Sequence, residues 1–255
     1  MKRLMILLLA LMTLLATASA DELLTLGEPA ADAICWPEGS NETNASYIYR
    51  YSYPQVLGEG EMAELINGTY AYEIEYTLEF RVPMNTEELE VEPGVQYYTT
   101  VTSEVTCLNE RYMSVKILTE TFMGPAISTI ISSNTFSLQG NASSGAETNL
   151  PYLLGILGED DAGDEWLEER QIAKADNCVR ALVWEIIEEQ MADGSVTFDD
   201  DLTEDVLVDC FFPETDYYLD ADGNPVFYIQ AGDIAPMSEG IFLFPFTMEE
   251  LLDEI

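Results

Sequence analysis

Of the side chains able to do chemistry, this chain has 48 carboxylates, four thiols and no imidazole. Without histidine there is no Ser–His–Asp triad, no Cys–His pair and none of the usual zinc-hydrolase ligand sets. Cys35, Cys107, Cys178 and Cys210 are widely spaced and form no CxxC, so neither a thioredoxin-type site nor a zinc knuckle is indicated. Structural disulfides or buried thiols account for them, and two bridges among four cysteines allow three connectivities. The carboxylates could supply the acid and base of a glycoside hydrolase, but with so many acids no pair stands out. Asp220-Ala221-Asp222-Gly223-Asn224 looks like the start of a calcium loop. However, Gly223 is misplaced and Ala231 stands where the bidentate Glu belongs, so the segment reads as a hairpin turn. Asp199-Asp200-Asp201 reads as a solvated acidic loop. GxGxxG, Walker A and GxSxG patterns are absent. Catalytic, cofactor-binding and metal residues are therefore all assigned as none.

The formal charge of −39 comes from 9 basic and 48 acidic residues. Such a field opposes nucleic acid and anionic lipid and favours cationic partners. Abundant aliphatic and aromatic residues argue for a packed core rather than charge-driven disorder. At the N-terminus, Met1-Lys2-Arg3 precedes the apolar run Leu4–Leu15, and Ala18-Ser19-Ala20 offers small residues for cleavage. The expectation is a secretory signal peptide cut after Ala20. That would leave a secreted or extracytoplasmic chain of charge −41, through loss of Lys2 and Arg3, with no integral membrane segment.

The elements that must position any site follow from periodicity. Residues 21–44 read as an extended lead-in tied down at Cys35, and Tyr47–Tyr53 as the first strand, ended by Pro54. Residues 59–80 fit two patterns. Met62, Leu65, Thr69, Tyr72, Tyr76 and Phe80 share a helical face, whereas Tyr70 to Phe80 also alternate after the turn signal Asn67-Gly68. Tyr97–Val105, Met113–Thr121 and Ile127–Phe136 predict a meander with one covered face. Asp164 caps a helix of about seven turns that stops at Ala192-Asp193-Gly194. Its Lys174, Arg180 and Glu185 read as a solvated face, and its Cys178 and Trp184 as packing residues. Asp201 or Thr203 caps a short helix ending near Cys210, and Thr247 caps a helical tail. Val226–Ile229 and Ile241–Phe244 predict two core strands around a connector shaped by Pro236 and Gly240. Asn41, Asn44, Asn67 and Asn141 head Asn-x-Ser/Thr patterns.

Val226-Phe227-Tyr228, Asp233-Ile234-Ala235-Pro236 through Gly240, and Phe244-Pro245-Phe246 followed by Glu250-Leu251 resemble the C-terminal part of the bacterial domain of unknown function 3298. Upstream, Tyr51-Ser52-Tyr53-Pro54-Gln55-Val56, Ala63–Asn67 and Met113–Leu150 resemble its companion domain 4163. The chain departs from the pattern at Gly124-Pro125-Ala126, where relatives often carry Gly-Ala-His. Members include the extracytoplasmic part of RsiV-type anti-sigma factors, which binds lysozyme, and the N-terminal part of peptidoglycan deacetylases. The resemblance implies an α+β fold of antiparallel sheets with a long packing helix and two closely associated subdomains. These comprise residues 45–145 and 146–255, following the signal peptide 1–20 and the lead-in 21–44. In function it implies an exported non-catalytic binding module at the cell envelope, with a protein or a cell-wall glycan as partner. A lysozyme-like cationic protein as partner, or a carboxylate-dependent glycan hydrolase, are the other readings. The connector residues Asp233, Pro236, Ser238, Glu239 and Gly240 are the candidate binding loop.

Overall fold

A computed structural model describes residues 24–87, 89, 92–139, 147–158, 161 and 164–255. The expected signal peptide, Asn141 and most of the junction between the two expected subdomains lie outside the described residues. The fold is α+β, as expected. Its first half is a five-stranded sheet built from β2 (Ala30–Trp36), β3 (Tyr47–Tyr53), β5 (Tyr97–Leu108), β6 (Tyr112–Phe122) and β7 (Ile127–Ser137), in the order β2-β3-β5-β6-β7. A two-stranded ribbon of β1 (Thr25–Leu26) and β4 (Val56–Leu57) sits beside it. The meander β5-β6-β7 is antiparallel, but β3 pairs with β5 in parallel. A parallel pair needs a long crossover. The chain provides one as α1 (Glu61–Tyr76), a π-helical turn (Thr77–Arg81) and α2 (Val82–Glu87).

This crossover settles the ambiguous stretch as helix, with an unexpected orientation. Ala63, Ile66 and Tyr70 are buried against the sheet. The stripe of Leu65, Tyr72, Tyr76 and Phe80, which looked like a helical packing face, is exposed. Asn67-Gly68 makes no hairpin because the Asn67 amide is used elsewhere: its Oδ1 accepts from Val56 N and its Nδ2 donates to Val56 O, both at 2.9 Å. That tertiary clamp overrides the local turn preference. The lead-in reading of 21–44 is also corrected. β2 pairs with β3 along seven residues, from Ala30↔Tyr53 to Trp36↔Tyr47. Its backbone ladder, not Cys35, ties it down.

The second half packs around α4 (Glu165–Asp193), roughly 43 Å long at 1.5 Å per residue. Asp164 Oδ1 accepts from Leu167 N, and Gly194 ends the helix at φ 68°, in the left-handed region where glycine has no Cβ penalty. Ala175, Val179, Val183 and Ile187 form its fully buried stripe. They face α3 (Leu150–Leu153), α5 (Glu204–Cys210) and the small sheet β10-β9-β8, made of Phe242–Pro245, Pro225–Ile229 and Tyr217–Leu219. The two predicted core strands are β9 and β10, in the register Phe227↔Phe244 and Ile229↔Phe242. The tail helix α6 (Met248–Glu254) carries a full capping box between Thr247 and Glu250.

The halves are stitched at the free edge of β7 and along β6. Gln230 fills the place of a missing strand, accepting from Ile131 N at 3.0 Å and donating to Ile131 O at 2.7 Å. Leu219 N donates to the buried Ser114 Oγ at 2.9 Å, and Ser133 Oγ donates to Tyr217 O. Ile131, Tyr218, Val226 and Tyr228 form a small apolar cluster between the two main cores. No described helix is long and apolar enough to cross a membrane.

Candidate functional site

Strand alternation builds the site. On the helix-facing side of β6, Met113, Val115 and Ile117 are buried, and the same two-residue step then continues into Thr119 and Thr121, which are only half-buried. β5 contributes Thr99 and Val101 beside them, and β3 contributes Tyr47, Tyr49 and Tyr53. Where the crossover packs tightly, the face is apolar. Where it stands off, the face is threonine and tyrosine. The result is a cleft of about 440 Å³, closed above by Thr69, Tyr70, Glu73, Thr77, Arg81 and Asn85 and bounded on β7 by Ser132, Ser133 and Asn134, with Glu147 at its edge. A second pocket of about 180 Å³ adjoins it, sharing Ser133, Asn134 and Glu147.

The π-helical turn aims the roof. Pro83 follows it and has no N–H to continue the helical ladder. The widened turn puts Thr77 inside and Arg81 at the rim, and such turns recur at functional sites. Arg81 Nη1 donates to Glu73 Oε1 at 2.8 Å, and its guanidinium lies 5.4 Å from the Tyr76 ring centre. That leaves Glu147 as the one unpaired charge lining the cleft among the described residues. Glu147 is exposed over much of its area, yet desolvation of its carboxyl raises its pKa, while a hydrogen bond from Asn134 Nδ2 opposes the rise.

Hydrogen bonding in the cleft is incomplete. Asn85 Nδ2 donates to Tyr47 Oη at 3.3 Å, Tyr47 Oη donates to Thr99 Oγ1 at 2.9 Å, and Thr99 and Thr121 hydroxyls meet at 3.2 Å. One proton serves the Thr–Thr contact, so whichever threonine donates, the other keeps a free O–H. Tyr70 is 1% exposed, stacked on Tyr53 and edge-on to Phe136, and its hydroxyl has no hydrogen-bond partner among the described residues. The Tyr49 hydroxyl lies beside Thr77 and Tyr53 without a bond of normal geometry. Burial raises the pKa of Tyr49, Tyr53 and Tyr70, so all three stay neutral donors. Buried hydroxyls without partners are uncommon in folded proteins. Here they gather in the walls of a polar cleft, Tyr49 from the sheet and Tyr70 from the crossover helix.

A second polar cluster lies in the other core, and it corrects the reading of Arg180 as part of a solvated face. The Arg180 side chain is only 12% exposed. Its Nη2 meets Asp176 Oδ2 at 3.4 Å and its Nε donates to Phe211 O at 3.0 Å. Asp176 sits one residue from the buried stripe and is 4% exposed. Desolvation, then the adjacent Glu214 carboxyl, push its pKa up to about 8. It therefore keeps its proton at neutral pH and hydrogen-bonds Glu214. Asp216, also desolvated, rises to about 6 while accepting from Phe212 N at 2.7 Å.

The predicted connector splits into anchored and free parts. Ile234 and Ala235 are buried, whereas Asp233, Pro236, Ser238 and Glu239 are exposed and Gly240 half-exposed. None of the five candidate residues lines the cleft. Asp233 is near Asp216 and Cys210 instead, and desolvation raises its pKa. All four cysteines are free thiols. Cys35 and Cys107 lie on β2 and β5 with β3 between them, which is beyond disulfide reach. Burial pushes the Cys210 thiol up to about 11. No group of His, Cys, Asp or Glu able to hold a metal occurs among the described residues. The threonines and tyrosines of the cleft went unnoticed in the sequence because they read there as ordinary strand formers. The Asn67 amide is occupied by Val56, unlike that of a free glycosylation acceptor.

No protein-family model matches the sequence, and no curated protein matches it. Two solved structures are similar to the chain, both described as members of the domain of unknown function 3298 family. One, from Bacteroides fragilis, has a TM-score of 0.49 and 15% identity over 89% of this chain and 92% of its own. The other, from Pseudomonas aeruginosa, has a TM-score of 0.48 and 14% identity over 93% of this chain and 96% of its own.

Proposed function

We propose that the protein is an exported, non-catalytic binding module of the cell envelope and that its ligand occupies the tyrosine–threonine cleft. The observation that carries this reading is the unpartnered Tyr70 hydroxyl in the roof of a polar cleft of about 440 Å³. That volume falls within the roughly 300–1,000 Å³ usual for small-ligand sites. Export is supported by the N-terminal pattern of Lys2-Arg3, the apolar run and Ala18-Ser19-Ala20. A wall glycan suits the cleft better than a protein surface, because the concavity is small and lined by hydroxyls with the exposed Tyr72 ring beside them. The charge of −39 favours a second reading, a cationic protein steered to the outer surface. Co-sedimentation with purified cell-wall sacculi at high salt tests the first reading. The wild type pellets with sacculi, and Ser132→Trp, which fills the cleft from an exposed rim position, stays in solution. Equal pelleting of both proteins, or of neither, contradicts it. Glycan cleavage by the wild type would instead favour the carboxylate-dependent hydrolase reading.

A further inference from the structure

We infer that the cleft reads an uncharged, polyhydroxylated sugar ring, with the Tyr70 hydroxyl and the Thr99–Thr121 pair as its donors to that ring. This rests on the proposed binding function and names the chemistry of the ligand. Charge comes first. The chain as a whole is strongly anionic, yet inside the cleft Glu73 is neutralised by Arg81 and only Glu147 remains. A cleft built for a cation would gather several unpaired carboxylates, and one built for an anion would gather unpaired Arg or Lys. Neither occurs among the described lining residues. Beside that single carboxylate, which adds acceptor capacity, the lining offers neutral groups: a donor on Tyr70 without an acceptor and one surplus proton on the threonine pair.

The aromatic content fits the same ligand. A sugar ring has an apolar C–H face and a rim of hydroxyls, so it needs a surface that alternates apolar area with hydrogen-bonding groups. Tyrosine presents both on one side chain; Tyr72, 67% exposed, offers its ring at the cleft, while Tyr47, Tyr49 and Tyr53 of β3 are buried in its wall. The Tyr70 hydroxyl is held by stacking at 5.2 Å on Tyr53 and by the edge contact at 6.0 Å with Phe136. Its direction is therefore fixed before a ligand arrives, which reduces the ordering cost of binding.

Calorimetric titration of the whole protein with acetylated chitotetraose, and with its fully de-N-acetylated, cationic counterpart, tests this at 0.5 M salt, where surface attraction is screened. The acetylated oligomer binds the wild type more tightly than the cationic one. Tyr70→Phe weakens it about 2- to 10-fold, the range of one neutral hydrogen bond, with an unchanged thermal melt. Thr121→Val does the same, which guards against a misleading effect at one position. If neither oligomer titrates although sacculi still bind the wild type and not Ser132→Trp, the sugar-ring inference falls and the binding function stands. Tighter binding of the cationic oligomer, or a Tyr70→Phe variant indistinguishable from wild type, also overturns it. Failure of sacculi as well removes both.

Discussion

The two halves of the molecule bury polar groups in opposite ways. Around α4, Asp176 is removed from water among groups that can answer it: Arg180 stands beside it and donates to Phe211 O, and a proton shared with Glu214 serves Asp176 Oδ1 and Glu214 Oε2, which are otherwise buried without partners. Beneath the crossover helix, Tyr70 is buried as deeply, yet nothing among the described residues accepts its proton. A satisfied buried network fixes a structure, whereas a cluster of unsatisfied hydroxyls beside open space costs stability unless something outside the chain completes it. On the proposed function, the contrast assigns a structural role to one half and the binding role to the other.

Substitutions should separate the two regions sharply. The largest effect is expected in the α4 core. Phe227 is fully buried and meets Phe211, Tyr217 and Phe246 at ring-centre distances of 6.0–6.2 Å. Phe227→Ala should destabilise the fold by about 3–5 kcal/mol in urea titration. A loss below about 1 kcal/mol would mean that this core is loosely packed.

The next effect is a pH dependence with a definite sign. Asp176 has its folded pKa raised, from 3.8 to about 8. A raised carboxyl contributes stability that is fully present below the unfolded pKa and is lost as pH rises through the folded one. Between pH 4 and pH 8 the wild type should therefore lose stability with a slope of up to about 1.4 kcal/mol per pH unit from this one proton. Asp216, raised to about 6, adds to the slope only below pH 6. Asp176→Asn should flatten the profile between pH 6 and 8. A wild type equally stable at pH 5.5 and 8 would contradict the protonated pair.

The smallest effect on stability, and the most informative, is expected at Tyr70. Removing a buried hydroxyl without a partner should leave stability within about 0.5 kcal/mol or raise it, while weakening ligand binding. A Tyr70→Phe variant destabilised by more than about 1.5 kcal/mol would show that the hydroxyl has a structural partner. The region would then resemble the α4 core after all.

Much of the scaffold was legible in the sequence. The caps of α4 and α6, the Asp220–Asn224 turn and the paired strands β9 and β10 are local signals, and local signals survive folding. Arg180 was legible in principle. It lies one residue past Val179 of the buried stripe and four past Asp176, so both polar side chains flank the packed face. The cleft was not legible. Thr99, Thr121, Tyr47, Tyr70 and Asn134 become neighbours only through a parallel β3–β5 crossover that sequence alternation cannot announce. The candidate loop Asp233–Gly240 attracted notice as a local pattern, but its buried residues Ile234 and Ala235 serve packing.

The most direct measurement is an amide chemical-shift map of the whole protein titrated with soluble cell-wall glycan fragments. Binding in the cleft predicts perturbations concentrated on residues 69–85 and on the facing stretches of β5, β6 and β7, with the connector 233–240 unchanged. Perturbations confined to that connector, or none at saturating fragment, would contradict it.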